Sequence, residues 1–95
     1  MSTETGIAAT TQPRLPRGVR LKHDEMRGEW LLLAPERVVK PNPIALEILK
    51  RCDGVATLEE IVDGLAAQFS ADRARVDADV RALLAELAGK RMVDL

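Results

Sequence analysis

The sequence predicts an α+β fold, a three-stranded antiparallel meander packed against three helices. Three observations carry that expectation. Period-two alternation and dense β-formers are confined to residues 19–40. From Ile44 onward the apolar residues recur at helical spacing instead. Prolines and glycines mark the changes from one pattern to the next.

The elements follow in order. Val19, Leu21 and His23 alternate with Arg20 and Lys22, the pattern of a half-buried first strand. Residues 24–28 are polar and end in Gly28, which reads as a turn. The densest β signal spans residues 27–40. Its apolar run, residues 30–33, is broken by Pro35 and resumes at residues 36–40 with Val38 and Val39, a hairpin pattern. Trp30 and Leu32 then share one face, Leu31 and Leu33 the other. Trp30 is expected in the sheet core, where replacement by alanine costs about 3–5 kcal/mol. The last strand of the meander keeps one unpaired edge, on which another chain can pair.

Pro41, Asn42 and Pro43 stop that strand, with Asn42 a helix cap and Pro43 a first helical residue. Ile44, Ala45, Ile48, Leu49 and Cys52 form the stripe of a first helix, ended by Asp53 and Gly54. Thr57 and Glu60 make a capping box for a second helix, whose stripe is Leu58, Ile61, Val62, Leu65 and Phe69. Asp72 caps a third, longer helix with Val76, Val80, Leu83, Leu84 and Leu87 inward and Gly89 at its end. Met92, Val93 and Leu95 are expected to fold back on the core. Residues 1–12 are rich in Ser, Thr and Ala and read as a flexible tail, leaving residues 13–95 as the domain. Removal of that tail is expected to spare folding.

A chain of 95 residues, 46% hydrophobic and 31% charged, supports one small core. Its formal net charge of −1 argues against a nucleic-acid partner, which calls for a basic face. A single cysteine, Cys52, rules out an internal disulfide and a thiolate metal cluster, and suits a reducing cytoplasm. No apolar run is long enough for a membrane span, and no signal peptide is visible.

Catalytic parts are scarce. His23, the only histidine, lies at a strand end beside Asp24 and Glu25, without the partners a base requires. Cys52 sits on an apolar helix face and reads as a packed thiol rather than a nucleophile. No phosphate loop or metal spacing is present, so neither an enzymatic activity nor a cofactor is expected. Arg73, Arg75 and Arg81 share the third helix with Asp72, Asp77, Asp79 and Glu86. That pattern fits a solvated mixed face or a charged rim beside an apolar groove, and the context of the neighbouring strand decides between them.

Several of these residues together resemble the PqqD family. They are Arg20-Leu21, Arg27, Trp30, the run from Leu32 to Arg37, Ala45, Ile48-Leu49, Cys52-Asp53-Gly54, Leu65, Asp79-Val80 and Leu83-Leu84. The Trp-x-Leu-Leu-Ala-Pro-Glu-Arg run with a later Cys-Asp-Gly carries most of the specificity. The likeness covers roughly residues 14–95 by this reading.

The resemblance implies a peptide chaperone of pyrroloquinoline quinone biosynthesis, a RiPP recognition element with a winged-helix-like fold. Such proteins bind the ribosomal precursor peptide PqqA and present it to the radical SAM enzyme PqqE, which joins a glutamate to a tyrosine. Some members are fused to PqqC, the enzyme of the last step, so the tail can serve as a linker. The resemblance also places the peptide as an added strand beside the third strand, packed on the third helix. Here those elements fall at residues 36–40 and 72–88, and the residues implied are Glu36, Arg37, Val38, Val39 and Lys40 with Arg75, Val76, Asp79, Val80 and Leu83. Arg37 and Lys40 would pair with acidic peptide residues or protect the edge from aggregation. Two readings compete with this one: a winged-helix DNA binder, and a small adaptor that oligomerises through the same edge.

Overall fold

The computed structural model describes residues 7–95. Its elements are β1 (Arg20–Asp24), β2 (Glu29–Ala34), β3 (Arg37–Val39), α1 (Pro43–Lys50), α2 (Leu58–Phe69) and α3 (Arg73–Gly89). The strands form one antiparallel sheet in the order β1-β2-β3. Leu32 is the hub of its register, opposite Leu21 on one side and Val39 on the other. The first turn closes because the Asp24 carbonyl accepts the Gly28 N–H at 2.7 Å, with Gly28 at φ 66. Pro35 and Glu36 alone make the second turn, so the third strand is shorter than the expected residues 36–40.

One core joins sheet and helices. Val19 and Leu32 meet Ile48 and Leu49 of α1, Ile61 and Leu65 of α2, and Val80 and Leu84 of α3. Each fully buried aliphatic chain of this kind contributes about 1.5–3 kcal/mol. The helix starts follow local chemistry. Asn42 Oδ1 accepts the Ala45 N–H at 2.7 Å, ahead of Pro43. Thr57 Oγ1 accepts the Glu60 N–H at 3.1 Å while Glu60 Oε1 accepts the Thr57 N–H at 2.9 Å. Asp72 departs from expectation: it occupies the cap position of α3, but its side chain makes no capping bond.

The helix ends also shift. α1 stops at Lys50, and Gly54, at φ 81, serves the following turn instead. Gly89 remains inside α3, and the left-handed residue is Arg91 at φ 61. Met92 N–H reaches back to the Leu87 carbonyl at 2.8 Å, completing a Schellman-type cap. This turn buries Met92 and Val93, whereas Leu95 stays 48% exposed. Asp94 then pairs through its backbone with Arg14, at 3.0 and 2.8 Å.

Two further expectations need correction. The first concerns residues 1–12, of which 1–6 lie outside the described residues. Residues 7–12 contribute to the fold. Ile7 is only 5% exposed and joins the core. The Thr11 carbonyl accepts the Leu58 N–H at 2.7 Å and the Ala9 carbonyl accepts the Glu59 N–H at 3.0 Å. Both donors belong to the first turn of α2, which has no intrahelical acceptors to offer them. The second concerns Trp30, which is half-buried rather than core. Its ring lies 5.0 Å from the His23 ring and 5.3 Å from Lys50 Nζ. Leu32, fully buried, takes the central role instead.

Candidate functional site

The flank of α3 bearing Val76, Asp79, Leu83 and Leu87 faces α1 and the end of β3 across a groove made of three adjoining hollows. The first, 140 Å³, has Ile48, Leu65 and Val80 in its floor and Ile44, Phe69, Arg75 and Asp79 among its walls. The second, 310 Å³, lies between Ile44 and Ala45 on one side and Asp79 and Leu83 on the other. The third, 210 Å³, separates Val39 and Lys40 from Leu83, Glu86 and Lys90. From Val76 to Lys90 the helix rises about 21 Å, the length of roughly six extended residues.

The walls of the first hollow are unusually apolar for an open surface. Ile44 is 51% exposed and Phe69 45%, although their helical spacing marks both as core residues. Each occupies the end of its stripe, where the helix runs past the edge of the core. Exposed large apolar side chains on a concave surface make this groove the candidate binding site.

β3 borders this groove with a free edge. In a two-residue turn the Arg37 N–H faces the Ala34 carbonyl. Directly opposed antiparallel residues alternate between hydrogen-bonded and non-hydrogen-bonded pairs. With Ala34 opposite Arg37 and Leu33 opposite Val38, the N–H and C=O of Val38 point away from β2. Lys40 has the same parity, and Pro41 then closes the edge because it has no N–H.

The fold brings most of the expected site residues together. Arg75, Val76, Asp79, Val80 and Leu83 line the groove, Val80 as fully buried floor. Val39 and Lys40 form the opposite wall of the third hollow. The Val38 side chain is 64% exposed. Lys40 Nζ already meets Glu29 Oε1 at 2.9 Å, so its charge is engaged within the sheet. Glu36 and Arg37 stand apart, around a separate cleft at the turn.

Other charges on α3 are tied down. Arg81 Nε reaches both carboxylate oxygens of Asp77, at 3.0 and 3.1 Å, and Arg73 bonds to Asp63. The carboxylates between these arginines offset the positive face that a nucleic acid would need. Burial pushes the Cys52 thiol up to about 12, and its Sγ donates to the Ile48 carbonyl at 3.3 Å. A thiol so placed is a packing group. Among the described residues no cluster of three His, Cys, Asp or Glu could hold a metal ion, and no helix is long and apolar enough to cross a membrane.

The family model described as coenzyme PQQ synthesis protein D, PqqD, matches residues 29–93. The chain belongs to the PqqD family. A protein of Rhodopseudomonas palustris (strain ATCC BAA-98 / CGA009) named PqqA binding protein is 50% identical over 84 residues, 88% of this chain and 82% of the relative. A protein of the same name from Xanthomonas euvesicatoria pv. vesicatoria (strain 85-10) is 48% identical over 91 residues, 96% of this chain and 99% of the relative. The solution NMR structure of the PqqD truncation of Methylobacterium extorquens PqqCD, described as a functional and stand-alone RiPP recognition element, matches with a TM-score of 0.80 at 42% identity. That match covers 96% of this chain and 97% of the other. The crystal structure of PqqD from Xanthomonas campestris matches with a TM-score of 0.60 at 45% identity, over 94% and 99% of the two chains.

The PqqD match spans the β2–β3 hairpin and all three helices, the elements that build the groove. Sequence reasoning missed the wall residues Ile44, Phe69 and Lys90. For Ile44 and Phe69 the misleading signal was periodicity itself, since a helical stripe does not show where the core stops.

Proposed function

We propose that this PqqD-family chain binds the ribosomal precursor peptide PqqA as an added strand on β3, with alternate side chains of the peptide entering the groove against α3. One observation carries the proposal: an unpaired strand edge adjoins an apolar groove, in a chain about half identical to proteins named for binding PqqA. The ladder is short, because Val38 and Lys40 are the only outward-facing residues before Pro41. Backbone bonds therefore hold the peptide in register, and side chains seated among Ile44, Phe69 and Val76 supply most of the selectivity.

The chain has no turnover of its own in this reading. It holds the peptide extended and presents it to PqqE, the radical SAM enzyme that joins a glutamate to a tyrosine in it. The setting is the cytoplasm, where a ribosomal peptide is made. Association with PqqC is the second partnership proposed, prompted by the PqqCD neighbour.

A pair of proline variants tests the strand addition. The Val38 N–H serves only an incoming peptide, so Val38→Pro should fold and bind PqqA more weakly. Losing one ladder bond with its partner left buried costs about 1–3 kcal/mol. Val39 has the opposite parity, so Val39→Pro should damage the hairpin itself. Calorimetric titration with PqqA, alongside circular dichroism melts, separates the two effects. Unchanged affinity in a folded Val38→Pro variant contradicts strand addition on β3.

A further inference from the structure

A second cleft lies at the turn end of β3, outside the groove. Its volume is 510 Å³, and its walls bring together Arg17, Arg37, Lys90 and Arg91 with a single carboxylate, Glu36. These cations come from three separate segments: the lead-in to β1, the first residue of β3, and the turn after α3. Lys90 meets Glu86 at 3.2 Å. Among the described residues Arg17, Arg37 and Arg91 have no carboxylate partner. An excess of cationic side chains around one hollow favours an anion there, most strongly at low salt.

Helix electrostatics explains part of this arrangement. Lys90 and Arg91 follow the last turn of α3, where the helix dipole favours cations. It does not account for Arg17 or Arg37. Arg91 also holds φ 61, at the position of a Schellman cap where glycine fits without strain. A strained residue whose side chain lines a cleft points to a role for that side chain.

We propose that this cleft is a subsite for acidic residues of the same peptide that pairs with β3. The inference rests on the reading given under Proposed function. Arg37 directly precedes Val38, so the acidic residues lie within about three positions of the residue paired with Val38. A polypeptide is favoured over a nucleic acid because the adjoining free edge offers backbone partners that only a peptide can match.

The test uses the full chain and fluorescently labelled PqqA, titrated at about 50 mM and about 500 mM salt, where screening differs strongly. The protein variants are Val38→Pro and the triple variant Arg17→Gln/Arg37→Gln/Arg91→Gly. A peptide with its Asp and Glu changed to Asn and Gln completes the cycle. The triple variant should lose about tenfold in affinity at low salt and little at high salt. Its melting temperature should hold or rise, since glycine relieves the strain at position 91. The neutral peptide should bind the unaltered chain about as weakly as PqqA binds the triple variant, with no further loss when the two changes are combined.

Affinity of the triple variant within twofold of the unaltered chain, with the same salt dependence, overturns the subsite. So do losses that simply add. Low-salt binding of duplex DNA that disappears in the triple variant overturns it too, by showing a phosphate site. If the unaltered chain binds no PqqA at either salt, the functional reading fails, and the subsite with it. Weakened binding by Val38→Pro alone supports that reading while overturning the cleft's role.

Discussion

Ile7→Ala should destabilise the protein by about 2–3 kcal/mol, even though Ile7 lies in a stretch with the composition of a loose tail. The change removes three carbons from a side chain that is 5% exposed and packed in the core. At about 0.8 kcal/mol per buried carbon, the transfer cost alone lies near 2.4 kcal/mol. A cavity adds to it only if the segment stays in place. The segment has its own anchors: Arg81 donates to the Ile7 carbonyl, and Gln12 Nε2 donates to the Val55 carbonyl at 2.9 Å. The first bond uses the main-chain carbonyl of residue 7 and the second does not involve that residue, so alanine preserves both. Ordering each backbone residue costs about 1–2 kcal/mol, so a weakened segment can detach, and detachment caps the loss at its net docking free energy. Urea unfolding followed by circular dichroism measures the change. A domain of this size should also melt about 8–16 °C lower for a 2 kcal/mol loss. The exposed neighbour Thr10→Ala serves as control and should stay within about 0.5 kcal/mol. A loss below about 0.5 kcal/mol for Ile7→Ala refutes the docking of this segment.

Three further outcomes follow from burial and titration. Leu32→Ala should cost about 2–5 kcal/mol and Trp30→Ala about 1–2, and the reverse order in urea midpoints contradicts the half-buried placement of Trp30 beside a fully buried Leu32. The Cys52 thiol is pushed from 9.0 up to about 12, so its contribution is whole below pH 9.0 and is lost as pH rises toward about 12. Stability should fall by ~1.4 kcal/mol per pH unit in that window, and the fall should be shallower in Cys52→Ala. Asp53 is held below its ordinary 3.8 by the N–H groups of Ala56 and Val55. Its contribution is present above 3.8 and lost as acid protonates it, so the stability gap between the unaltered chain and Asp53→Ala should narrow below that pH.

The elements themselves were readable because their signals are local. Alternation around Leu32, the Thr57–Glu60 box and the stripe of α3 each lie within a few residues of chain. What the sequence concealed depends on distant contacts. A lone isoleucine among Ser, Thr and Ala gives no hint that the core offers it a seat and that Arg81 binds its carbonyl. Trp30 carries a strong burial propensity, but its ring meets His23 and the Lys50 ammonium rather than core aliphatic side chains, which its own sequence does not reveal. Half of the groove was legible, since Val76, Asp79 and Leu83 follow one helical flank. The cationic cleft was not, because Arg17, Arg37 and Arg91 become neighbours only through the β2–β3 turn and the cap of α3. The parity of β3 stayed open until the loop length was known, since one residue more or less in the turn reverses it.

The most direct test of the account is an amide NMR titration of the isotopically labelled chain with PqqA. The predicted result is a set of saturable shifts at Val38, Val39 and Lys40, continuing along α3 from Val76 through Leu83, with β1 and the first turn of α2 unmoved. Shifts confined to β1, or to the segment at Ile7, or no shift at saturating peptide, would contradict the placement of the peptide between β3 and α3.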